Sequence, residues 1–367
     1  VHRTPVSERS GAEIEFIEMP ELYLKQVEFK DKIKKISEEI NFYPEESKLI
    51  LNSWIDSVSI DWPISRRRFY ATPIPLWSSE IKEEKIFALG KPGKYYEPWR
   101  EKPGNDFEVL KNGKKIGHVK DFDDSWKGEE RVFDTWMDSS ISELIMLKYM
   151  EDNRFFRKMY PCSLRPQGKE IIRTWLYYTL LRGYFETGKP SFEDVWINQH
   201  IVDAKGHKMS KSKGNIINPQ KLLRSYGAEA IRLWSATEGD LSRQDLKCSE
   251  ERIKAELTTI NKLFNITKFV TQFKKPGKIK ITELDQIFMD FLDDETEKIE
   301  RYYDTYNFYK PAVKLRNFLW ETFASHYLEL VKARVYNEEK KFNKQESEAA
   351  IYTLYYLLER LVILLSP

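Results

Sequence analysis

An α/β part built on a parallel sheet, followed by an all-α part, is the fold class that the sequence predicts. Two patterns predict it. Between 132 and 202 short apolar runs alternate with amphipathic segments, among them a helical stretch over 169–186, and this β-then-α rhythm is that of a parallel sheet. After Cys248 apolar residues recur at helical spacing over 251–273, 283–306, 309–336 and 345–365, with short polar breaks, the pattern of a helical bundle. At roughly 100–200 residues per domain, a chain of 367 residues holds two or three domains.

The earlier elements follow in order. Residues 1–25 alternate, as in Ile14-Glu15-Phe16-Ile17-Glu18-Met19, and a period of two predicts strand. Over 28–51 Phe29, Ile33, Ile36 and Ile40 recur at spacings of three and four, predicting helix, with Pro44-Glu45-Glu46 as a further helix start. From Asp61 to Trp77 the basic run Arg66-Arg67-Arg68 lies among Pro63, Pro73 and Pro75, which rule out a long helix and leave a basic loop leading into a strand. Turn signals at Lys91-Pro92-Gly93, Lys102-Pro103-Gly104 and Asn112-Gly113 mark 78–131 as an inserted, hairpin-bearing excursion outside the main core.

Composition removes several function classes. Lys and Arg total 60 against 58 for Asp and Glu, so a net charge of +2 does not mark a polyanion binder and only local clusters can. Neither Cys162 nor Cys248 has a second Cys or a His at ligand spacing, so neither a protein-bound zinc nor a disulfide framework is expected. No apolar run reaches the roughly 18–20 residues that cross a bilayer, and the first ten residues lack a signal-peptide layout, so a soluble cytoplasmic protein is expected. The chain starts on Val1 and stops at Leu365-Ser366-Pro367 directly after an apolar helix, and it reads as a piece of something longer.

The most informative segment runs from Asp203 to Asn215, where Lys205, Lys208, Lys211 and Lys213 lie among Gly206, Ser210, Ser212 and Gly214. A compact ammonium on a flexible stem suits phosphate oxygens whose charge grows during phosphoryl or nucleotidyl transfer. Taken alone, such a cluster is either a solvated turn or a phosphate site. The full string Lys208-Met209-Ser210-Lys211-Ser212 is the KMSKS signature of class I aminoacyl-tRNA synthetases, and the chain resembles that family, most closely its valyl-type members in archaeal versions. Asp61-Trp62-Pro63-Ile64-Ser65-Arg66-Arg67-Arg68 with Pro73-Ile74-Pro75 resembles the DWxISRxR…PIP segment of the valyl, isoleucyl and leucyl group. Asp134-Thr135-Trp136-Met137-Asp138-Ser139-Ser140 and the run from Arg165 to Trp175 are similar to the valyl enzymes, and 316–332 is similar to their helical anticodon-binding domain.

The resemblance implies the C-terminal half of a Rossmann-like catalytic domain followed by an anticodon-binding bundle. Residues 1–25 would be the tail of an editing insertion, 26–250 the catalytic half with the excursion at 78–131 and the lysine loop at 203–250, and 251–367 the bundle. It implies ATP, arriving with Mg2+, as the nucleotide. Lys208 and Lys211 would be catalytic, and Met209, Ser210, Ser212, His207, Gly168 and Glu170 would bind ATP beside them. Glu170 stands where the family has Asp, which leaves its role open. Trp136, Ile171 and Trp175 would wall the valine pocket, although aromatic residues at helical spacing are otherwise core. Arg66, Arg67 and Arg68 would lie near the acceptor end of a valine tRNA, or form a solvated basic turn. The pair Asp134 and Asp138 reads as helix capping before Ser139. Relatives often carry zinc-binding cysteines where this chain has Ser7, Ser78 and Ser79, so those knuckles are expected to be lost. No His-x-Gly-His motif occurs, and in the family it lies upstream. The expectation is therefore a valyl-type ligase piece that is inactive alone, with valine, ATP, tRNA and the missing N-terminal half as partners and a monomeric state. An isoleucyl or leucyl enzyme and a non-catalytic tRNA-binding module are the alternatives.

Overall fold

A computed structural model describes residues 4–7, 10–15, 17–68, 70–122, 125–210, 214–241 and 245–366. The chain forms two compact units, one of residues 1–40, 48–163 and 171–193, the other of 41–47, 164–170 and 194–367.

In the first unit the alternating N-terminal segment is mostly not strand. Among the described residues only Tyr23–Leu24 is, paired antiparallel with Trp62–Pro63, and Val6 bridges Glu13. Ile14, Ile17 and Met19 are exposed, so neither face is buried at these described residues, and alternation makes a strand only where a neighbouring strand or core takes it up. The helical pattern of 28–51 resolves into Lys30–Glu38, which buries Ile33 and Ile36, and Ser47–Ser57, which follows Pro44 as expected. Between them Asn41–Tyr43 is a strand, because Pro44 biases the residue before it to extended backbone.

The excursion at 78–131 is an antiparallel sheet of Leu76–Ile81, Glu84–Leu89, Glu108–Lys111, Lys114–His118 and Lys127–Gly128. Its two-residue turns fall at Lys82-Glu83 and Asn112-Gly113, all four residues at positive φ, as hairpins twisted like their strands require. Trp77, Ile86, Ala88, Tyr96, Phe107 and Val109 form its own small core, with Trp77 and Tyr96 edge to face at 5.7 Å. Ser78 and Ser79 lie in its first strand, and the Ser79 and Ser125 hydroxyls are 2.7 Å apart. A Cβ on Gly128 would stand 1.8 Å from the Pro98 carbonyl oxygen, and backbone cannot retreat as a side-chain tip can. Gly128→Ala is expected to cost about 1–3 kcal/mol by overpacking. Faster amide exchange at Trp77 and Ala88 would register it, and unchanged exchange would count against this close approach.

The helical stretch expected at 169–186 is a single-turn 3₁₀ segment at Lys169–Ile171, a π-helical stretch at Ile172–Leu176 and an α-helix at Tyr177–Thr187, ended by Gly188 in left-handed conformation.

The second unit holds residues 164–168 and 194–198 of the strands Cys162–Gly168 and Phe192–Asn198, with Asn41–Tyr43 completing a three-stranded sheet. Asp194, Val195 and Trp196 pair in parallel with Asn41, Phe42 and Tyr43, and Ile201–Val202 pairs in parallel with Leu246–Lys247, as the β-then-α rhythm predicts. The helix Pro219–Glu238 is absent from the sequence-based expectation. Asn218 caps it and Pro219 takes the first position, but Gly227 interrupts it at φ 80° and ψ 165°, which hides its periodicity.

The bundle agrees with its pattern: Glu250–Val270, Glu283–Tyr303, a continuous run over 309–336 and Lys344–Leu364. The run over 309–336 is π-helical across Phe318–Tyr327. Leu292, Ile299, Leu319, Phe323, Val331, Leu354 and Leu361 form the centre of its core, so the aromatic stripe of 316–332 is packing. Among the described residues no helix is long and apolar enough to cross a membrane.

Candidate functional site

The lysine loop grows from the end of Ile201–Val202. Val202 is buried and bridges Lys208, so the chain doubles back on itself. Asp203 makes the turn, its Oδ1 accepting from the backbone N–H of Lys205 at 3.0 Å and of His207 at 2.8 Å. Gly206 and Gly214 both take positive φ, the conformations that glycine permits at least cost. Asn215 ties the limbs together: its Nδ2 donates to Asp203 Oδ2 at 2.9 Å and to the Lys208 carbonyl at 3.3 Å, while its Oδ1 accepts from the Ser210 N–H at 2.9 Å. Lys208 and His207 are exposed, and Met209 and Ser210 half-buried. Lys211 and Ser212 lie outside the described residues.

The Asn215 amide, and then the backbone N–H groups of His207 and Lys205, hold the Asp203 carboxyl down to about 2. A depressed carboxylate keeps its hydrogen bonds above the ordinary value of 3.8 and loses them as pH falls through the folded value. The Asp203 carboxyl carbon is therefore expected to show its own titration only as pH falls towards 2. A titration midpoint near 3.8 would mean that Asp203 is not bonded in this way.

In the same unit, Gly168 ends its strand and Glu170 folds back over it: a Cβ on Gly168 would meet Glu170 Oε2 at 2.4 Å. That oxygen lies 3.5 Å from His200 Nε2. Lys169 Nζ reaches Asp245 Oδ1 at 2.5 Å, and Asp245 Oδ1 also accepts from the His200 N–H at 3.1 Å. Burial raises the Asp245 carboxyl, but Lys169 and the His200 N–H outweigh it and the net shift is downward. The start of the 169–187 helical run and the base of the lysine loop are thus tied through one carboxylate.

The residues of the expected amino-acid pocket lie in the first unit. Trp136 sits on the short helix Thr135–Ser139, whose N-cap Asp134 accepts from the Trp136 N–H at 2.8 Å. Asp134 therefore caps, as expected, but the helix it opens begins at Thr135 rather than at Ser139, and Asp138, inside that helix, does not cap. Asp138 accepts from the Thr72 hydroxyl at 3.0 Å. Trp175 Nε1 donates to the Ser139 carbonyl at 2.8 Å, which brings the helix bearing Trp136 to the π-helical stretch that begins after Ile171. Trp136, Ile171 and Trp175 are all half-buried. In the same unit Trp62, 2 % exposed, stacks on Tyr178 at 3.7 Å with 13° between the planes.

The three arginines separate. Arg66 pairs with Asp134 and donates to the Ser65 carbonyl at 2.9 Å. Arg67 is 3.1 Å from Glu21 Oε1, and Arg68 is exposed. Asp203, Asn215, Lys169 and Asp245 are the site-forming residues that sequence reasoning missed. Asp203 and Asn215 bracket the lysine run, and that bracketing is the signal that could have found them.

Residues 8–248 match the family model described as tRNA synthetases class I (I, L, M and V), and 285–367 the anticodon-binding domain of tRNA ligase. The chain is 41 % identical over its whole length to the valine–tRNA ligase of Aeropyrum pernix, covering 44 % of that protein. It is also 41 % identical to that of Pyrobaculum aerophilum, covering 45 %, and 40 % identical to that of Nanoarchaeum equitans, covering 46 %. It therefore spans under half the length of the curated relatives it matches. Among solved structures it resembles Mycobacterium tuberculosis methionyl-tRNA synthetase in complex with methionyl-adenylate, with a TM-score of 0.69 at 18 % identity over 99 % of this chain and 63 % of that one. That likeness concerns the fold. With the catalytic-domain match over most of its length, an anticodon-binding match behind it and valine–tRNA ligases among its relatives, the chain belongs to the class I tRNA synthetases of the I, L, M and V group.

Proposed function

We propose that this chain supplies the lysine-loop half of the catalytic domain and the anticodon-binding bundle of a valine–tRNA ligase working as a cytoplasmic monomer. The enzyme joins the valine carboxylate to the α-phosphorus of ATP, releases pyrophosphate, and passes the valyl group from the adenylate to the 3′ end of a valine tRNA. The observation that carries the reading is the KMSKS loop itself, with Lys208 exposed on a loop whose base is closed by Asp203 and Asn215. Lys208, with Lys211, offsets the charge that builds on the phosphates as the α-phosphorus is attacked. Met209, Ser210, Ser212 and His207 complete that side of the nucleotide, and Gly168 and Glu170 meet its ribose. Magnesium comes with the nucleotide, since phosphate oxygens and water supply most of its preferred ligands.

Trp136, Ile171 and Trp175 form an apolar wall for valine. One apolar pocket rejects a hydroxyl-for-methyl isostere by only about 10²-fold, so the whole enzyme also edits threonyl errors. Arg68, with the outer faces of the bundle, takes tRNA phosphates, whereas Arg66 and Arg67 hold the backbone around Asp134 and Glu21.

The test is amino-acid-dependent ATP–pyrophosphate exchange by the chain combined with the upstream half of the Aeropyrum pernix relative. Exchange with valine alone supports the reading. Exchange with isoleucine or leucine instead keeps the reaction and overturns the amino acid, and no exchange from a folded complex points to a tRNA-binding module.

A further inference from the structure

Lys208 carries its charge at the end of a flexible stem, so its use depends on how its backbone is held. Besides the bridge from Lys208 to Val202, one side chain shares in that holding. The Asn215 amide bonds both polar atoms outward, to Asp203 Oδ2 at 2.9 Å, the Lys208 carbonyl at 3.3 Å and the Ser210 N–H at 2.9 Å. Both ends of this arrangement are anchored. On one side Val202 is buried and paired with Lys247, and the Cys248 N–H donates to its carbonyl at 2.9 Å. On the other, Ile217 packs against the cluster of Leu222, Ala230 and Trp234, and Asn218 caps the helix that follows. Asn215 is the clasp between two fixed points.

We infer that Asn215 is a positioning residue for adenylate formation, acting through Lys208 by locking the loop backbone to Asp203. The inference rests on the ATP-activating reading above. The work of Asn215 is to keep the loop base closed so that the lysine ammonium arrives where charge develops. A displacement of about 1 Å at such a place costs on the order of 100-fold in rate.

Asn215→Ala in the combined enzyme is expected to lower kcat for valine-dependent exchange by roughly 10–100-fold with KM for valine unchanged. Asn215→Asp alone sets a carboxylate against Asp203 and does the same. The exchanged pair Asp203→Asn with Asn215→Asp rebuilds the bond between 203 and 215 with its donor reversed and still accepts from the Ser210 and His207 N–H groups, but leaves the Lys208 carbonyl without its donor, and is expected to recover part of kcat. A kcat within twofold of the parent in Asn215→Ala, or a double variant no better than Asn215→Asp, overturns the inference. Should the unsubstituted enzyme show no exchange, the ATP reading fails, and the clasp is judged on this chain by hydrogen exchange. Faster exchange at Ser210 and His207 in Asn215→Ala, slowed again in the exchanged pair, supports it. Unchanged exchange overturns it.

Discussion

Replacing Arg334 with alanine is expected to remove about 3–5 kcal/mol from the stability of the helical bundle, the usual result of stripping one partner from a buried ion pair. The Asp285 side chain is completely buried, and the Arg334 side chain is 9 % exposed. The guanidinium meets the carboxylate with both terminal nitrogens, at 2.9 and 2.6 Å, and Nη2 also donates to the Glu346 carbonyl at 2.7 Å. The Tyr327 and Thr282 hydroxyls donate to Asp285 at 2.7 Å each. Burial, and then the neighbouring Asp285, push the Tyr327 hydroxyl well above the ordinary phenol value, so that it remains a donor at any physiological pH. Without Arg334 the two hydroxyls would face a carboxylate with no counter-charge. Urea denaturation followed by circular dichroism measures the loss. Replacing both partners with apolar residues is expected to cost less than removing Arg334 alone, because it leaves no orphan charge. A single-variant loss under about 1 kcal/mol would mean that water reaches the pair.

Lys208→Ala in the combined enzyme is expected to lower kcat for valine-dependent exchange by about 10²–10³-fold, the typical loss when one preorganised charge is withdrawn from a transition state. The Lys208 side chain is exposed, while what Asn215 holds here is the Lys208 carbonyl and the Ser210 N–H. The unfolding midpoint is therefore expected to stay where it is. KM for valine is expected to hold as well, because the expected pocket residues lie on other elements. Lys208→Arg is not a rescue, since a planar fork replaces a compact point charge. A loss smaller than tenfold would remove Lys208 from the chemistry.

The bundle was legible because Leu, Ile and Phe repeat at helical spacing through long segments with few prolines, and the excursion because Asn112-Gly113 announces a tight hairpin. Less legible were features whose cause lies far along the chain. Asn41–Tyr43 is a three-residue strand whose partner begins at Asp194, and no local window contains that pairing. The pairing of Arg66 with Asp134, 68 residues away, is hidden for the same reason. The N-terminal alternation misled for the opposite reason: the pattern was present and, among the described residues, the neighbouring strand was not. In the candidate site the lysines stood out through a known string, whereas Asp203 and Asn215 are the polar residues that any solvated turn would carry. Their value lies in facing each other, which is a property of the folded loop.

The π-helical stretch over Phe318–Tyr327 bears on how this chain tolerates gaining or losing a residue. It interrupts a continuous helical run that carries Arg334 on its far side, where the guanidinium must point at Asp285. A widened turn holds about one residue more than an α-turn, so a one-residue deletion within Phe318–Tyr327 that tightened one such turn to α-helix would leave the residues beyond it facing nearly the same way. A one-residue deletion in the α-helical stretch Leu328–Tyr336 ahead of Arg334 would instead turn Arg334 by roughly 100° off the buried carboxylate. The widened turns thus act as slack, and relatives that keep the Asp285 pairing can lose a residue between Phe318 and Tyr327 but not between Leu328 and Arg334.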